Sequence, residues 1–227
     1  RPVDLINNND IVLNLNPACK MADTSWIKPG KVFRSGDLKQ DRVKAAIDFA
    51  AERGIQYVHM DAGWYGPEMK MSSDATTDKD LDIPALCKYA ESKGIGLMVY
   101  VNQRALVQQL DTLLPLYKKW GLKGIKFGFV QIGNQRWSTW LHDAVRKCGE
   151  YDLMVDIHDE YRPTGFSRTY PNLMTQEGIR GNEEMPDATH NTTLPFTRYL
   201  AGAGDYTLCY FNNRVKNTKA HQLAMAA

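Results

Sequence analysis

The sequence lacks long apolar runs and any strong bias of charge. No segment approaches the 18 or more consecutive apolar residues that a membrane-spanning helix needs. Its 28 basic and 26 acidic residues are interspersed and leave a formal net charge of +2. The composition therefore indicates neither a membrane span nor a nucleic acid or an anionic membrane as partner.

Cysteine is scarce and follows no metal-binding pattern. The four cysteines lie far apart, at positions 19, 87, 148 and 209. Cys87 and Cys148 fall in amphipathic helical patterns, so we expect them to be reduced core residues. With 227 residues and 43% hydrophobic content, the chain is long enough for one large domain.

Strand and helix patterns alternate along the chain, and glycines mark the short turns between them. Nearly continuous apolar strands of this kind are typical of a parallel sheet that is covered by helices. An extended segment at 26–34 begins the series, and a strand-like run at 169–174 ends it. Between them the sequence predicts strands at 55–61, 95–102, 124–129 and 153–158, and helices at 40–53, 82–93, 105–120 and 137–148.

Two α/β architectures share this rhythm, a doubly wound sheet and a (β/α)8 barrel. No G-x-G-x-x-G motif follows a strand, which removes the main argument for a nucleotide-binding doubly wound sheet. Polar residues instead follow the predicted strands, with Asp61, Asn102 and segment 158–160 near the carboxyl ends where barrel sites are built. We therefore predict a (β/α)8 TIM barrel that is incomplete at its C-terminal end.

Four residues in or after the predicted strands are candidate ligands for a sugar. Lys126 lies in the middle of an apolar strand, where burial is costly unless the ammonium meets an anion or a polar ligand. Asp61 and Trp64 offer a carboxylate for hydroxyls and a ring for C–H faces, and Asn102 offers an amide. Each residue also has a structural alternative. These are a peripheral lysine for Lys126, a helix cap for Asp61, a core side chain for Trp64 and a turn residue for Asn102.

Acidic residues are concentrated after the last two predicted strands. His158, Asp159 and Glu160 follow one strand, and segment 175–184 carries three glutamates and Arg180 between glycines. Clustered carboxylates bind Ca²⁺ through hard oxygens or raise one another's pKa for general acid catalysis. A solvated loop is the alternative.

Several motifs taken together resemble glycoside hydrolase family 97. They are the segments 26–31, 162–165, 168–172, 177–181 and 204–207. The resemblance implies a calcium-dependent α-glucosidase or α-galactosidase of the Bacteroides type, periplasmic or secreted. It also implies that residues 1–227 are one catalytic barrel domain, a fragment of a longer enzyme with flanking β-domains. The helix-like run at 220–226 and the missing initiator methionine favour a fragment.

The resemblance also suggests roles for individual residues. The nucleophilic Asp of retaining members maps onto Gly128, and the two base positions of inverting members map onto Asn102 and Asp159. Glu160 is an alternative base. Glu183 matches the general acid, with adjacent Glu184 as the register alternative. The implied Ca²⁺ ligands are Asp159, Glu177 and Glu183.

Three functional hypotheses follow for a substrate with terminal α-linked galactose or glucose. The preferred one is a retaining α-galactosidase whose nucleophilic Asp is replaced by Gly128, as in an inactivated variant. The second is an inverting α-glucosidase with Asp159 or Glu160 as base, and the third is a barrel that binds glycans without cleaving them. The expected substrate-binding residues are Asp61, Trp64, Asn102, Lys126, His158 and Arg180.

Overall fold

A computed structural model describes Asp4, residues 10–77 and residues 80–208 of the chain. Its centre is a six-stranded sheet in which every neighbouring pair of strands is parallel. The strands are β1 (Val32–Ser35), β2 (Tyr57–Met60), β3 (Gly96–Asn102), β4 (Gly124–Gly128), β5 (Met154–Ile157) and β6 (Leu173–Gln176).

Four long helices connect successive strands from β1 to β5. The α-helices are α1 (Ile11–Asn14), α2 (Gln40–Glu52), α3 (Ile83–Ser92), α4 (Gln103–Trp120), α5 (Gln135–Glu150) and α6 (Ala188–Thr193). Short 3₁₀ turns follow at Phe166–Arg168, Asn182–Glu184, Leu194–Phe196 and Arg198–Ala201. Each of α2 to α5 packs its apolar face on the sheet, which excludes water from both layers.

The order of the strands decides between the two predicted architectures. A doubly wound sheet reverses its strand order at a switch point. Here the strands follow one another from β1 to β6 without reversal. The described chain is therefore an incomplete (β/α) barrel, and the predicted fold is confirmed.

The sheet register brings the candidate site residues to one edge. Lys126 lies level with Tyr100 on β3 and with Asp156 on β5, and Asn102 lies level with Gly128. Because all strands are parallel, their carboxyl ends and the loops that follow them meet at the same mouth of the barrel.

Two predicted strands are shorter in the structure. β6 begins at Leu173 rather than at 169, because Pro171 has no N–H for a ladder and the Thr169 hydroxyl donates to the Pro17 carbonyl instead. The extended segment at 26–34 becomes a strand only from Val32 onward. The Pro29–Gly30 turn delays its entry into the sheet.

The described residues contain no helix that is long and apolar enough to cross a membrane. Cys87 and Cys148 are free and buried, as predicted, while Cys19 is free and exposed. The predicted helical run at 220–226 and Cys209 lie outside the described residues.

Candidate active site

Three acid–base side chains meet at the mouth of the barrel. His158 follows β5, Glu177 follows β6, and Glu183 lies in the 3₁₀ turn that comes next. His158 Nδ1 lies 2.7 Å from Glu177 Oε2, and its Nε2 lies 3.5 Å from Glu183 Oε1. One donor atom from each residue lies within 4.8 Å of the other two.

The imidazole of His158 links two glutamates of different exposure. Burial alone would lower the pKa of His158, but the hydrogen bond to Glu177 and the nearby carboxylates outweigh it and raise that pKa. Glu177 is buried, whereas the Glu183 side chain is 37% exposed. Glu183 is thus the member of the cluster that a substrate can reach.

Asp159 lies beside this cluster, and its carboxylate accepts a hydrogen bond from the loop that follows β4. Its backbone has a φ of 67°, an unusual value for a residue other than glycine. Asp159 Oδ2 accepts a hydrogen bond of 3.0 Å from the backbone N–H of Val130, and its own backbone N–H donates to Glu177. The structure therefore brings Glu177 and Glu183 together with His158, and places the Asp159 carboxylate over the β4–α5 loop.

The donor chemistry of the cluster agrees in part with the implied Ca²⁺. Glu177 and Glu183 supply carboxylate oxygens, the ligands that Ca²⁺ prefers. The imidazole of His158 suits transition metals better, and its Nδ1 already faces Glu177. The two glutamates therefore fit a calcium ion, and His158 fits as the group that orients Glu177.

Lys126 lies between two partly buried aspartates. Its Nζ is 2.5 Å from Asp205 Oδ2 and 3.1 Å from Asp156 Oδ2. Burial opposes the charged ammonium, but both carboxylates outweigh that penalty and raise the pKa of Lys126. A lysine has three donors and two are used here, so one remains for the sugar hydroxyl that the sequence predicts as its ligand.

The two aspartates beside Lys126 differ in their pKa values. Burial and the charge of Asp205 raise the pKa of Asp156 to about 7. Burial would also raise the pKa of Asp205, but Lys126, Asp156 and the backbone N–H of Thr207 lower it to about 2. Asp205 is thus the ionised partner of Lys126, and Asp156 is protonated over much of the acidic range.

This difference predicts opposite effects of two isosteric substitutions. Because the native state holds the Asp156 proton up to about pH 7, the unfolding free energy should fall as pH rises from about 4 to about 7. Asp156→Asn should remove that fall and make the protein more stable than wild type at pH 8. Asp205→Asn should instead destabilise it at all pH values above about 4, where the unfolded Asp is ionised.

Urea unfolding of wild type and both variants from pH 4 to pH 8 measures this difference. A loss of stability at pH 8 in Asp156→Asn as large as that in Asp205→Asn would contradict the assigned protonation.

The space beside Gly128 is already filled. A Cβ atom built on Gly128 would lie 1.8 Å from the phenolic oxygen of Tyr100 and 1.9 Å from its Cζ. Tyr100 is itself buried, and burial and then the charge of Glu68 raise the pKa of its phenol. A neutral phenol thus occupies the place where a side chain at position 128 would begin.

Two of the predicted sugar ligands have structural partners. Asp61 forms an ion pair with Arg34. Trp64 is only 4% exposed, packs against Tyr65 and Tyr117, and donates from Nε1 to the carbonyl of Tyr100 at 2.7 Å. The structure thus places Trp64 in the core, because its indole N–H finds a buried partner there, whereas the carboxylate of Asp61 stays partly accessible.

Asn102 acts as a cap and as a hydrogen-bond donor. Its side-chain oxygen accepts from the backbone N–H of Ala105 at 3.2 Å and caps α4. Its Nδ2 donates to Glu68 Oε2 at 2.9 Å. Glu68 also accepts from the Gly63 backbone N–H at 3.0 Å and from the Tyr65 hydroxyl at 3.1 Å.

The remaining predicted residues lie on the surface. Arg180 donates to the Glu184 carbonyl at 3.3 Å, and its Nε lies 3.7 Å from the Glu184 carboxylate. Both side chains are more than half exposed, so this pair contributes little to stability. Glu160 is also exposed.

Four residues of the site were not among those predicted. Asp156 interrupts an otherwise apolar strand, which is the same signal that singled out Lys126. Asp205 belongs to a segment that carried the family resemblance, yet no pattern pairs it with β4. Tyr100 looks like any buried strand aromatic, and Glu68 stands in a loop without a motif, so neither gives a signal in the sequence.

Comparison with known proteins identifies the family. The sequence profile described as Glycoside hydrolase 97 matches residues 22–179. A probable retaining alpha-galactosidase from Streptomyces bingchenggensis is 35% identical over 86% of the chain and 32% of its own length. A retaining alpha-galactosidase from Bacteroides thetaiotaomicron is 30% identical over 93% of the chain and 37% of its own length. The chain thus spans about a third of these relatives.

A solved structure agrees with both the fold and the family. It is a glycoside hydrolase family 97 enzyme from Pseudoalteromonas sp. strain K8 in complex with acarbose. The match has a TM-score of 0.79 and 30% identity, and it covers 93% of this chain and 39% of that one. The same enzyme is also known in complex with panose. Since the profile covers well over half of the sequence, the chain belongs to glycoside hydrolase family 97.

Proposed function

We propose that this chain is the catalytic segment of an exo-acting glycosidase that hydrolyses a terminal α-glycosidic bond in oligosaccharides. The names of the two relatives favour galactose as the terminal sugar. The acarbose and panose complexes of the Pseudoalteromonas enzyme favour glucose. A periplasmic or secreted location belongs to the same proposal.

The observation that carries the proposal is the arrangement of His158, Glu177 and Glu183. Hydrolysis of a glycoside needs a carboxylic acid that protonates the leaving oxygen. Glu183 is partly exposed, and its Oε1 lies 3.5 Å from His158 Nε2, so its carboxyl can meet a substrate at the mouth of the barrel. We assign Glu183 as the general acid and Glu177 as the buried partner that holds His158 in place.

Tyr100 favours the inverting over the retaining hypothesis. A retaining glycosidase needs a carboxylate nucleophile close to the anomeric carbon. The retaining hypothesis leaves an empty space where the Asp at position 128 is lost, but the phenol of Tyr100 fills that space. We therefore propose direct displacement by water, with no glycosyl-enzyme intermediate.

We also propose that Glu177 and Glu183 hold a Ca²⁺ ion, with Asp159 as the third ligand that the family resemblance implies. When bound, the ion offsets the repulsion between the carboxylates and polarises the leaving-group region. Glu183 would deliver the proton, Lys126 would bind a ring hydroxyl, and His158 would keep Glu177 oriented.

The product anomer tests the function directly. We expect the protein to release galactose or glucose from α-linked oligosaccharides, and proton NMR at early times should show the β-anomer first. Chelation by EGTA should lower both turnover and the thermal midpoint, because the carboxylates repel one another without the cation. Addition of Ca²⁺ should restore both.

Three other results would contradict parts of this proposal. Release of the α-anomer first would support the retaining hypothesis. Calorimetric binding of oligosaccharides without any release of sugar would support a glycan-binding barrel. An unchanged thermal midpoint after chelation would contradict the calcium assignment.

A further inference from the structure

Glu68 lies in the loop between β2 and α3 and is held at the carboxyl end of β3, the strand next to β4. Its Oε2 accepts from Asn102 Nδ2 at 2.9 Å, and Asn102 is the register partner of Gly128. Neighbouring strands lie only about 5 Å apart. The Glu68 carboxylate is therefore hydrogen-bonded to the residue of β3 that lies level with Gly128.

The electrostatics around Tyr100 point to the same place. Three carboxylates add to burial in raising the pKa of the Tyr100 phenol, namely those of Glu68, Asp159 and Asp61, and Glu68 is the strongest of them. The strongest charge that acts on Tyr100 is thus that of Glu68, which belongs to the loop after β2 and not to β4. Glu68 therefore supplies negative charge near the carboxyl end of β4, a strand that has no acidic side chain of its own.

These three carboxylates differ in their capacity to accept a proton. Asp61 forms an ion pair with Arg34, and its pKa is lowered. Asp159 lies directly beside the candidate calcium ligands, with its own N–H bonded to Glu177. Glu68 accepts hydrogen bonds only from neutral donors among the described residues.

The hydrogen bonds of Glu68 leave one acceptor site of its carboxylate unused. Oε2 accepts from Asn102 and from the Tyr65 hydroxyl, while Oε1 accepts from the Gly63 N–H. A carboxylate has about four lone-pair sites, so one remains on Oε1. Burial raises the pKa of Glu68, and its donors only partly offset that effect, which is the environment of a general base rather than of a surface acid.

We propose that Glu68 is the general base that activates the attacking water. Glu68 takes a proton from the water, whose oxygen bonds to the anomeric carbon. The bond from that carbon to the glycosidic oxygen breaks, and Glu183 protonates the leaving oxygen. Asn102 and Tyr65 position the Glu68 carboxylate. The proposal rests on the inverting function proposed above.

The test compares Glu68→Gln with Asp159→Asn and Glu160→Gln, the two bases that the sequence suggests. Glu68→Gln should lower kcat by about 10²–10⁴-fold, the usual contribution of a general base. KM should change little, and the thermal midpoint should fall only modestly, because the Gln amide oxygen can still accept from Asn102 and Tyr65 while the acceptor of the Gly63 N–H is lost. The acid limb of the kcat–pH profile should also disappear.

Azide separates a base from a positioning residue. Azide needs no deprotonation, so it should restore turnover in Glu68→Gln and yield a β-glycosyl azide, which a merely structural loss would not allow. Full activity in Glu68→Gln, or azide rescue only in Asp159→Asn or Glu160→Gln, would overturn the proposal. An α-anomer released by wild type would instead overturn the inverting function itself.

Discussion

Replacing Gly128 by Asp is expected to lower both the stability and the turnover of the protein. Even the Cβ atom of the new residue would lie 1.8 Å from the phenolic oxygen of Tyr100, so the buried ring must move. Overpacking of this kind costs about 1–3 kcal/mol. A displaced ring and a second carboxylate beside Glu68 would also disturb the attacking water, and we expect a loss of roughly 10²-fold in kcat.

A smaller substitution isolates the steric part of this effect. Gly128→Ala should lower the thermal midpoint, whereas Gly36→Ala should not, because a Cβ at position 36 meets Arg34 at an ordinary 3.6 Å. In a Tyr100→Ala background the cost of Gly128→Ala should largely disappear, since the two residues are in contact.

The retaining hypothesis makes the opposite prediction for the same variant. If Gly128 replaces a nucleophile, Gly128→Asp should raise the rate by about 10⁴-fold or more and give a retained product. A single comparison of rate and product anomer at position 128 therefore decides between the two mechanisms.

Replacing Glu183 by Gln is expected to abolish most hydrolysis of natural substrates. An amide cannot protonate the leaving oxygen, so kcat for a sugar leaving group should fall by about 10²–10⁴-fold. The loss should be much smaller for a glycosyl fluoride, whose leaving group needs little protonation. Steady-state kinetics with both substrates measure this difference.

The neighbouring glutamate supplies the matched control. Glu184 differs from Glu183 by one position, is 63% exposed and pairs with Arg180. Glu184→Gln should therefore retain activity on both substrates. An equal loss on the fluoride and on the oligosaccharide in Glu183→Gln would argue against the role of acid, and calcium binding by calorimetry would show whether that loss reflects the metal.

The fold was predictable because periodicity and strand order agree. The apolar run at 124–129 became β4 almost unchanged, and the helix predicted at 40–53 is α2. Apolar strands that alternate with helices of this length have few ways to pack. The ends of β1 and β6 were less predictable, because proline and side-chain hydrogen bonds from distant residues decide where pairing begins.

From sequence patterns alone, a site residue was predictable only where its side chain differs in polarity from its neighbours in the chain. Lys126 was found because a charge in an apolar strand needs a partner, yet nothing in the sequence named Asp205 as that partner. Gly128 was found from the resemblance, but the position of Tyr100 depends on how β3 and β4 align. Glu68 was missed because a loop residue acquires its role only from what it reaches in three dimensions.

The ion pair between Lys126 and Asp205 also bears on the order in which the chain folds. It joins residues 79 positions apart, whereas neighbouring strands of the sheet are consecutive along the chain. Closing such a long loop is slow because chain entropy is lost before contacts form. We therefore expect the strands to assemble first, with Lys126 facing Asp156, and Asp205 to dock afterwards. Because burial and the arriving charge both raise the pKa of Asp156, we expect this docking step to take up a proton near neutral pH.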